Sequence, residues 1–171
     1  MEKLKEYIRN IPDFPKKGIL FRDITTLLAN KERFSEVLDA LSKRYADKNI
    51  DAVVAIESRG FIFGGALAHR LGASFVPVRK KGKLPAKTLS AAYSLEYGED
   101  TLEIHEDAFQ KGARVLLIDD LLATGGTMAA VIDLVKKLDG DIIELSVVIE
   151  LADLKGRARL KDHAVYSMIK Y

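Results

Sequence analysis

Residues 115–127 read VLLIDDLLATGGT. Val115 to Ile118 form an unbroken apolar run, the mark of a strand buried on both faces. Asp119 and Asp120 come next, and Ala123-Thr124-Gly125-Gly126-Thr127 closes the run. Beyond it Met128, Val131, Ile132, Val135 and Leu138 recur at helical spacing. The order is therefore strand, acidic pair, glycine loop, helix. Two glycines allow a tight turn and close backbone approach. Successive amides at a helix N-terminus form an anion site reinforced by the helix dipole, and the hydroxyls of Thr124 and Thr127 add donors. A phosphate monoester suits such a loop. Two carboxylates just before it can accept hydrogen bonds from adjacent sugar hydroxyls, offset positive charge developing on a sugar ring, or hold a hydrated Mg²⁺. No lysine follows the second glycine, so this is not a P-loop, and the glycine spacing is not the dinucleotide fingerprint. Gly-Gly alone would also fit a plain strand-end turn.

Outward from this run, helical and strand patterns alternate. Phe34, Val37, Leu38, Leu41 and Tyr45 give an amphipathic helix over 31–46 with Asn30 as its cap. Ala52 to Ile56 is a short buried strand, 61–71 a helix weakened by Gly64 and Gly65, and Ser74 to Val78 a second strand. Residues 79–87, RKKGKLPAK, are basic and broken by glycine and proline. Residues 88–104 roughly alternate, with a turn at Gly98 to Asp100, and predict a two-stranded ribbon. Ile142 to Ile149 and Val165 to Ile169 complete the strands. Such alternation predicts an α/β fold with a mainly parallel central sheet and helices on both faces. Ligands then bind beyond the carboxyl ends of the strands.

The bulk properties narrow the classes. The chain of 171 residues suits one domain over 1–171. A net charge of +2 is too small to indicate nucleic-acid binding. With no cysteine, disulfides and thiolate metal sites are excluded. The first ten residues are charged, and no stretch approaches the roughly 20 apolar residues that span a bilayer. A cytoplasmic protein without membrane or nucleic-acid partners is expected. His69, His105 and His163 stand alone and receive no role.

The 115–127 run resembles the signature of the type I phosphoribosyltransferases, Rossmann-like enzymes whose donor is 5-phosphoribosyl-1-pyrophosphate (PRPP). Four further segments resemble the adenine branch of that family: IPDFPKKGILFRDIT (11–25), IESRGFIFG (56–64), VPVRKKGKLP (76–85) and YSLEYG (93–98). The C-terminal VYSMIKY also resembles it, so the likeness spans essentially the whole chain in order and spacing. It implies a small N-terminal hood over 1–30, a mobile β-ribbon lid over 79–104, and a homodimer. Lys81 and Thr26 stand where relatives often have proline; the first is expected to loosen the loop slightly.

The resemblance also distributes roles. Asp119 and Asp120 hold the ribose, and Ala123, Thr124, Gly125, Gly126 and Thr127 the 5′-phosphate. Glu57, Ser58 and Arg59 form a turn that cradles pyrophosphate, often with a cis peptide between the first two. Arg79, Lys80 and Lys83 add positive charge there, and the residue matching Arg79 reaches the neighbouring subunit's pyrophosphate. Leu20, Phe21 and Arg22 form the adenine pocket: Phe21 offers a stacking face, and backbone near Leu20 reads the purine edge. Without the resemblance, Phe21 in the core and Arg22 on the surface would fit as well. Glu96 is the general acid/base for the N9 proton, with Tyr97 beside it in the lid. Tyr93 and Tyr97 could equally just pack the ribbon. Mg²⁺ is expected on the substrate, near Asp119 and Asp120, without dedicated protein ligands. The implied reaction is adenine plus PRPP giving AMP and pyrophosphate. Transfer to another purine, or a PRPP-binding regulator of nucleic acid, are the competing expectations.

Overall fold

A computed structural model describes residues 1–94 and 99–171. A 3-10 turn at Glu2–Tyr7 leads into β1 (Arg9–Pro12), β2 (Leu20–Asp23), α1 (Thr25–Ala29) and α2 (Lys31–Tyr45). Then come β3 (Ala52–Ile56), α3 (Gly60–Leu71), β4 (Ser74–Lys80), β5 (Thr88–Ser94) and β6 (Glu99–His105). The chain ends with β7 (Arg114–Leu122), α4 (Gly126–Lys137), β8 (Asp141–Glu150), two short 3-10 turns and β9 (Val165–Lys170). Seven strands form one sheet in the order β5-β6-β4-β3-β7-β8-β9, and β1-β2 form a separate antiparallel pair. β4, β3, β7, β8 and β9 run parallel; β6 is antiparallel to β4, and β5 to β6.

Strand alternation explains how one sheet supports two cores. Ala52, Val54, Ile56, Val115 and Leu117 face α4 with Met128, Val131 and Val135. Val53, Ala55, Leu116 and Ile118 face α2 and α3 with Val37, Leu41, Phe63 and Leu67. Each fully buried aliphatic side chain contributes about 1.5–3 kcal/mol, which is why the strands read as continuous apolar runs. α2 begins at Asn30, whose side chain accepts from the amides of Glu32 and Arg33. After β3 the chain crosses by α3 to β4 on one side; after β7 it crosses by α4 to β8 on the other. The carboxyl ends of β3 and β7 thus flank the sheet's switch point, where a crevice opens.

Two expectations need correction. The strand read at Val115–Ile118 continues through Asp119, Asp120, Leu121 and Leu122, because its ladder with β8 runs on to Leu122↔Glu150. The turn expected at Gly98–Asp100 does not include Glu99 and Asp100, which pair with Ser94 and Tyr93; Gly98 lies outside the described residues. The Lys81 amide donates to Thr101 O at 3.1 Å, a bond that the proline often found there in relatives could not make. The ribbon is rooted in the core by Leu102 and Ile104, both buried. Thr26 Oγ1 donates to Tyr7 O at 2.6 Å, fastening α1 to the first turn.

The separate pair β1-β2 is anchored at Asp23, which is buried. Its carboxylate accepts from the Thr25 amide at 2.9 Å and from Arg9 Nε at 3.0 Å. The Thr25 amide and the Arg9 guanidinium hold its pKa down at about 2. A depressed carboxylate stabilises the fold above its unfolded pKa of 3.8, and that stability is lost as pH falls through about 2. Asp23→Asn is therefore expected to cost about 1 kcal/mol at neutral pH. In urea titrations the gap from the parent should close between pH 4 and pH 2; a gap that stays constant would discard this origin.

Candidate active site

β3 ends at Ile56 and delivers Glu57-Ser58-Arg59 to the crevice; β7 ends at Leu122 and delivers Ala123-Thr124-Gly125. A cavity of about 250 Å³ lies between them. It is lined by Glu57, Ser58, Arg59, Lys80, Tyr93, Asp119, Asp120, Ala123, Thr124, Gly125 and Thr127, among others. The residues singled out for phosphate, ribose and pyrophosphate are thus largely brought together. Gly125 adopts φ +83°, a left-handed conformation that suits glycine, and caps α4, whose N-terminus opens on the cavity. Gly126 is buried in the first turn of α4.

The acidic pair is tightly set. Asp119 Oδ1 accepts from the Asp120 amide at 2.8 Å. A Cβ on Gly60 would lie 2.8 Å from that same oxygen, so glycine lets the α3 N-terminus approach Asp119. Arg59 Nε lies 2.9 Å from Asp120 Oδ2, near enough for an ion pair but out of line for a hydrogen bond, so this buried oxygen lacks a donor. Burial and the neighbouring Asp120 carboxylate push the Asp119 carboxyl well up. Burial also raises Asp120, against the pull of Arg59. A sugar presenting two hydroxyls would supply the missing donors. Among the described residues no group of three or more His, Cys, Asp or Glu side chains could hold a metal. The pair fits a hydrated Mg²⁺ carried mainly by substrate phosphates.

The β3 side of the crevice contains ion pairs. The Glu57–Ser58 peptide is cis. The Glu57 carboxylate accepts from Arg79 Nε at 3.2 Å, the Lys80 amide at 2.9 Å and Lys83 Nζ at 2.9 Å. Burial pushes Glu57 up, but Lys83, the Lys80 amide and Arg79 together hold it below the usual range. Arg79 and Lys83 are therefore turned to Glu57 and do not line the cavity, whereas Lys80 lines it and pairs with Asp100 at 2.9 Å. A carboxylate so engaged does not itself attract pyrophosphate; Glu57 can contribute through its backbone and through the cations it gathers.

A second cavity, about 610 Å³, adjoins the first through Ala123. Leu20, Arg22, Leu151, Asp153, Leu154 and Tyr171 line it with Gly18 and Ile19. Arg22 lies over the Tyr171 ring at 3.8 Å and hydrogen-bonds Asn10. Phe21 points to the other side of its strand, 5.2 Å edge-on from Phe14, with the Arg59 guanidinium 5.2 Å above its ring. Leu151, Asp153, Leu154 and Tyr171 escaped the sequence reading. No local pattern marks them; only the resemblance of VYSMIKY touched the last. Glu96 and Tyr97 lie outside the described residues.

The described residues include no helix long and apolar enough to cross a membrane. Residues 23–170 match the family model of the phosphoribosyl transferase domain. An adenine phosphoribosyltransferase from Citrifermentans bemidjiense is 59% identical over 171 residues, covering 100% of both chains. The crystal structure of adenine phosphoribosyltransferase from Thermoanaerobacter pseudethanolicus superposes with a TM-score of 0.96 at 50% identity, over 99% of each chain. That from Saccharomyces cerevisiae, solved with an imino-altritol bisphosphate and adenine, gives 0.92 at 42% identity over 97% of this chain and 96% of its own.

Proposed function

The chain belongs to the adenine phosphoribosyltransferase family, and on that premise we propose how its residues join adenine N9 to C1′ of PRPP, giving AMP and pyrophosphate. One observation carries the assignment of roles: two cavities meet at Ala123, one polar and charged, the other walled by Leu20, Leu151 and Leu154. The first accommodates a ribose phosphate, the second a flat base. The 123–127 amides and hydroxyls anchor the 5′-phosphate, and Asp119 and Asp120 accept from the ribose hydroxyls. As the C1′–O bond breaks, the ring gains oxocarbenium character, which the two carboxylates offset. The Ser58–Arg59 turn and Lys80 receive the departing pyrophosphate. Leu20 and Arg22 line the adenine side, with Arg22 steadied by Tyr171, whereas Phe21, expected to stack on the base, lies on the opposite side of its strand against Arg59 and does not line this cavity.

Mg²⁺, held by substrate and the Asp119–Asp120 pair, would supply charge neutralisation on the leaving group. Closure of the 79–104 segment would exclude water, whose attack on PRPP is the wasteful competitor. A homodimer is part of the proposal. Ile62 on α3 and Phe75 on β4 are 41% and 40% exposed, large apolar side chains that a second copy could cover. On docking, Arg79 would be free to exchange Glu57 for the neighbour's pyrophosphate. A cytoplasmic location completes it, supported by a chain without cysteine that asks nothing of an oxidising compartment.

The deciding assay is AMP formation from adenine and PRPP with Mg²⁺, run against hypoxanthine and guanine. Turnover only with an oxo-purine would overturn the adenine assignment, and AMP formation undiminished in excess chelator would remove the metal. Glu96→Gln is expected to lower kcat about 10²–10⁴-fold, the range of a lost general acid/base, with PRPP affinity kept. A parental kcat would take Glu96 out of the proton transfer.

A further inference from the structure

Past β8 the chain makes two 3-10 turns, Ala152–Leu154 and Gly156–Arg159. The first turn, with Leu151, walls the base cavity. The second backs the phosphate loop with no side chain between. A Cβ on Gly156 would lie 2.2 Å from Ala123 O and 3.1 Å from Gly125 N; one on Gly125 would lie 2.5 Å from Gly156 O. Main chain rests on main chain, so the position of Gly156 sets the position of Ala123 and Gly125.

Gly156 is itself fixed by its neighbour. Arg157 Nε donates to Glu150 Oε1 at 2.6 Å and Nη2 to Glu150 Oε2 at 2.8 Å, a bidentate pair. Nη2 also reaches Ser167 Oγ at 2.9 Å, and Nη1 reaches Val165 O at 2.9 Å. Ser167 Oγ in turn donates to Glu150 Oε2 at 2.5 Å. Glu150 is 5% exposed. With every guanidinium nitrogen engaged inside the protein, Arg157 has no fork left for a substrate phosphate. Neither it nor Glu150, Gly156 or Ser167 lines either cavity.

We propose that Glu150, Arg157 and Ser167 form a clamp that seats Gly156 under the 123–125 loop and so positions the 5′-phosphate amides for PRPP. These are positioning residues, acting through Ala123 and Gly125, and the inference rests on that loop being the 5′-phosphate site. Because the same segment walls the base cavity, the clamp holds the two half-sites at a fixed separation.

The test is Gly156→Ala, which pushes on Ala123 O without altering any group that touches substrate. KM for PRPP and Kd for ribose 5-phosphate, the latter by calorimetry, are expected to rise about tenfold to a hundredfold, as a displacement of about 1 Å can cost. The circular dichroism spectrum should stay parental. Arg157→Met should raise both constants in the same direction, and Arg157→Lys, which keeps the charge but loses the fork, should recover only part. A purely structural role would lower the thermal midpoint of these variants and leave both constants parental, which would overturn the proposal. Should Gly156→Ala not fold, Ser167→Ala, remote from the loop, decides on the same constants with about a threefold rise expected, the equivalent of a modest hydrogen bond. Thr127→Val separates the premise from the inference. If it leaves ribose 5-phosphate affinity unchanged, the phosphate assignment of the loop fails; if it weakens binding and the clamp variants do not, only the clamp fails.

Discussion

Asp119→Asn is expected to lower kcat/KM for PRPP by about 10²–10³, the cost of removing one preorganised electrostatic group, and at the same time to make the ligand-free protein more stable. The two effects share a cause. Asp119 is desolvated beside a second carboxylate, so its carboxyl is raised well above 3.8. A carboxyl whose folded pKa is raised favours the fold fully below its unfolded value. That contribution is lost as pH rises through the folded pKa, because the unfolded chain releases the proton more readily. Asparagine keeps an acceptor for the Asp120 amide but carries no charge. Its advantage should therefore grow from about pH 4 toward neutrality. On the proposed roles, ribose hydroxyls and developing positive charge would supply the partners that the pair lacks on its own. Steady-state kinetics and thermal melts across that pH range test both halves. A parental kcat/KM, or a variant that melts below the parent at pH 7, would reject the account.

Gly64→Ala is expected to destabilise by about 1–3 kcal/mol, the range for overpacking a filled core, and so to lower the thermal midpoint by about 3–10 °C. An added Cβ would lie 2.5 Å from the Ala55 Cβ, 3.1 Å from Ile118 Cγ2 and 3.3 Å from the Phe75 ring. The alanine methyl has no rotamer in which to retreat, so α3 must move off the sheet. Helix propensity pulls the other way, since alanine is favoured over glycine by about 1 kcal/mol; a net gain in the midpoint would show that propensity outweighs the contact. α3 begins just after Arg59, so its displacement also moves the Glu57-Ser58-Arg59 turn away from Asp120. A loss of kcat/KM should therefore accompany the lowered midpoint.

The sequence made some features plain and concealed others for physical reasons. β3 was legible because Ala52–Ile56 is wholly apolar between Asp51 and Glu57, and α2 because Asn30 and a helical repeat mark the same start. β7 was read too short because two aspartates look like loop residues. Pairing with β8 overrides that local preference and carries the strand to Leu122. The two half-sites around the glycine loop were visible as motifs. The wall formed by Leu151, Leu154 and Tyr171 was not, since it exists only once a late segment crosses the sheet. Gly156 is the sharpest case: nothing near it in sequence demands glycine, and the demand comes from Ala123 across space.

The central position of β3 has a consequence for how the chain acquires its shape. Val53 pairs with Phe75 on one side and Leu116 on the other. One of those neighbours is made soon after it during synthesis, the other much later. Parallel pairing over such a span closes a large loop before any contact repays it, which slows folding. Until β7 arrives, one edge of an entirely apolar strand stands open, a template for pairing with other chains. The half of the protein that ends in the Glu57-Ser58-Arg59 turn is thus most prone to aggregate in the interval before β7 and its glycine loop join it, and the crevice between them is among the last features to form.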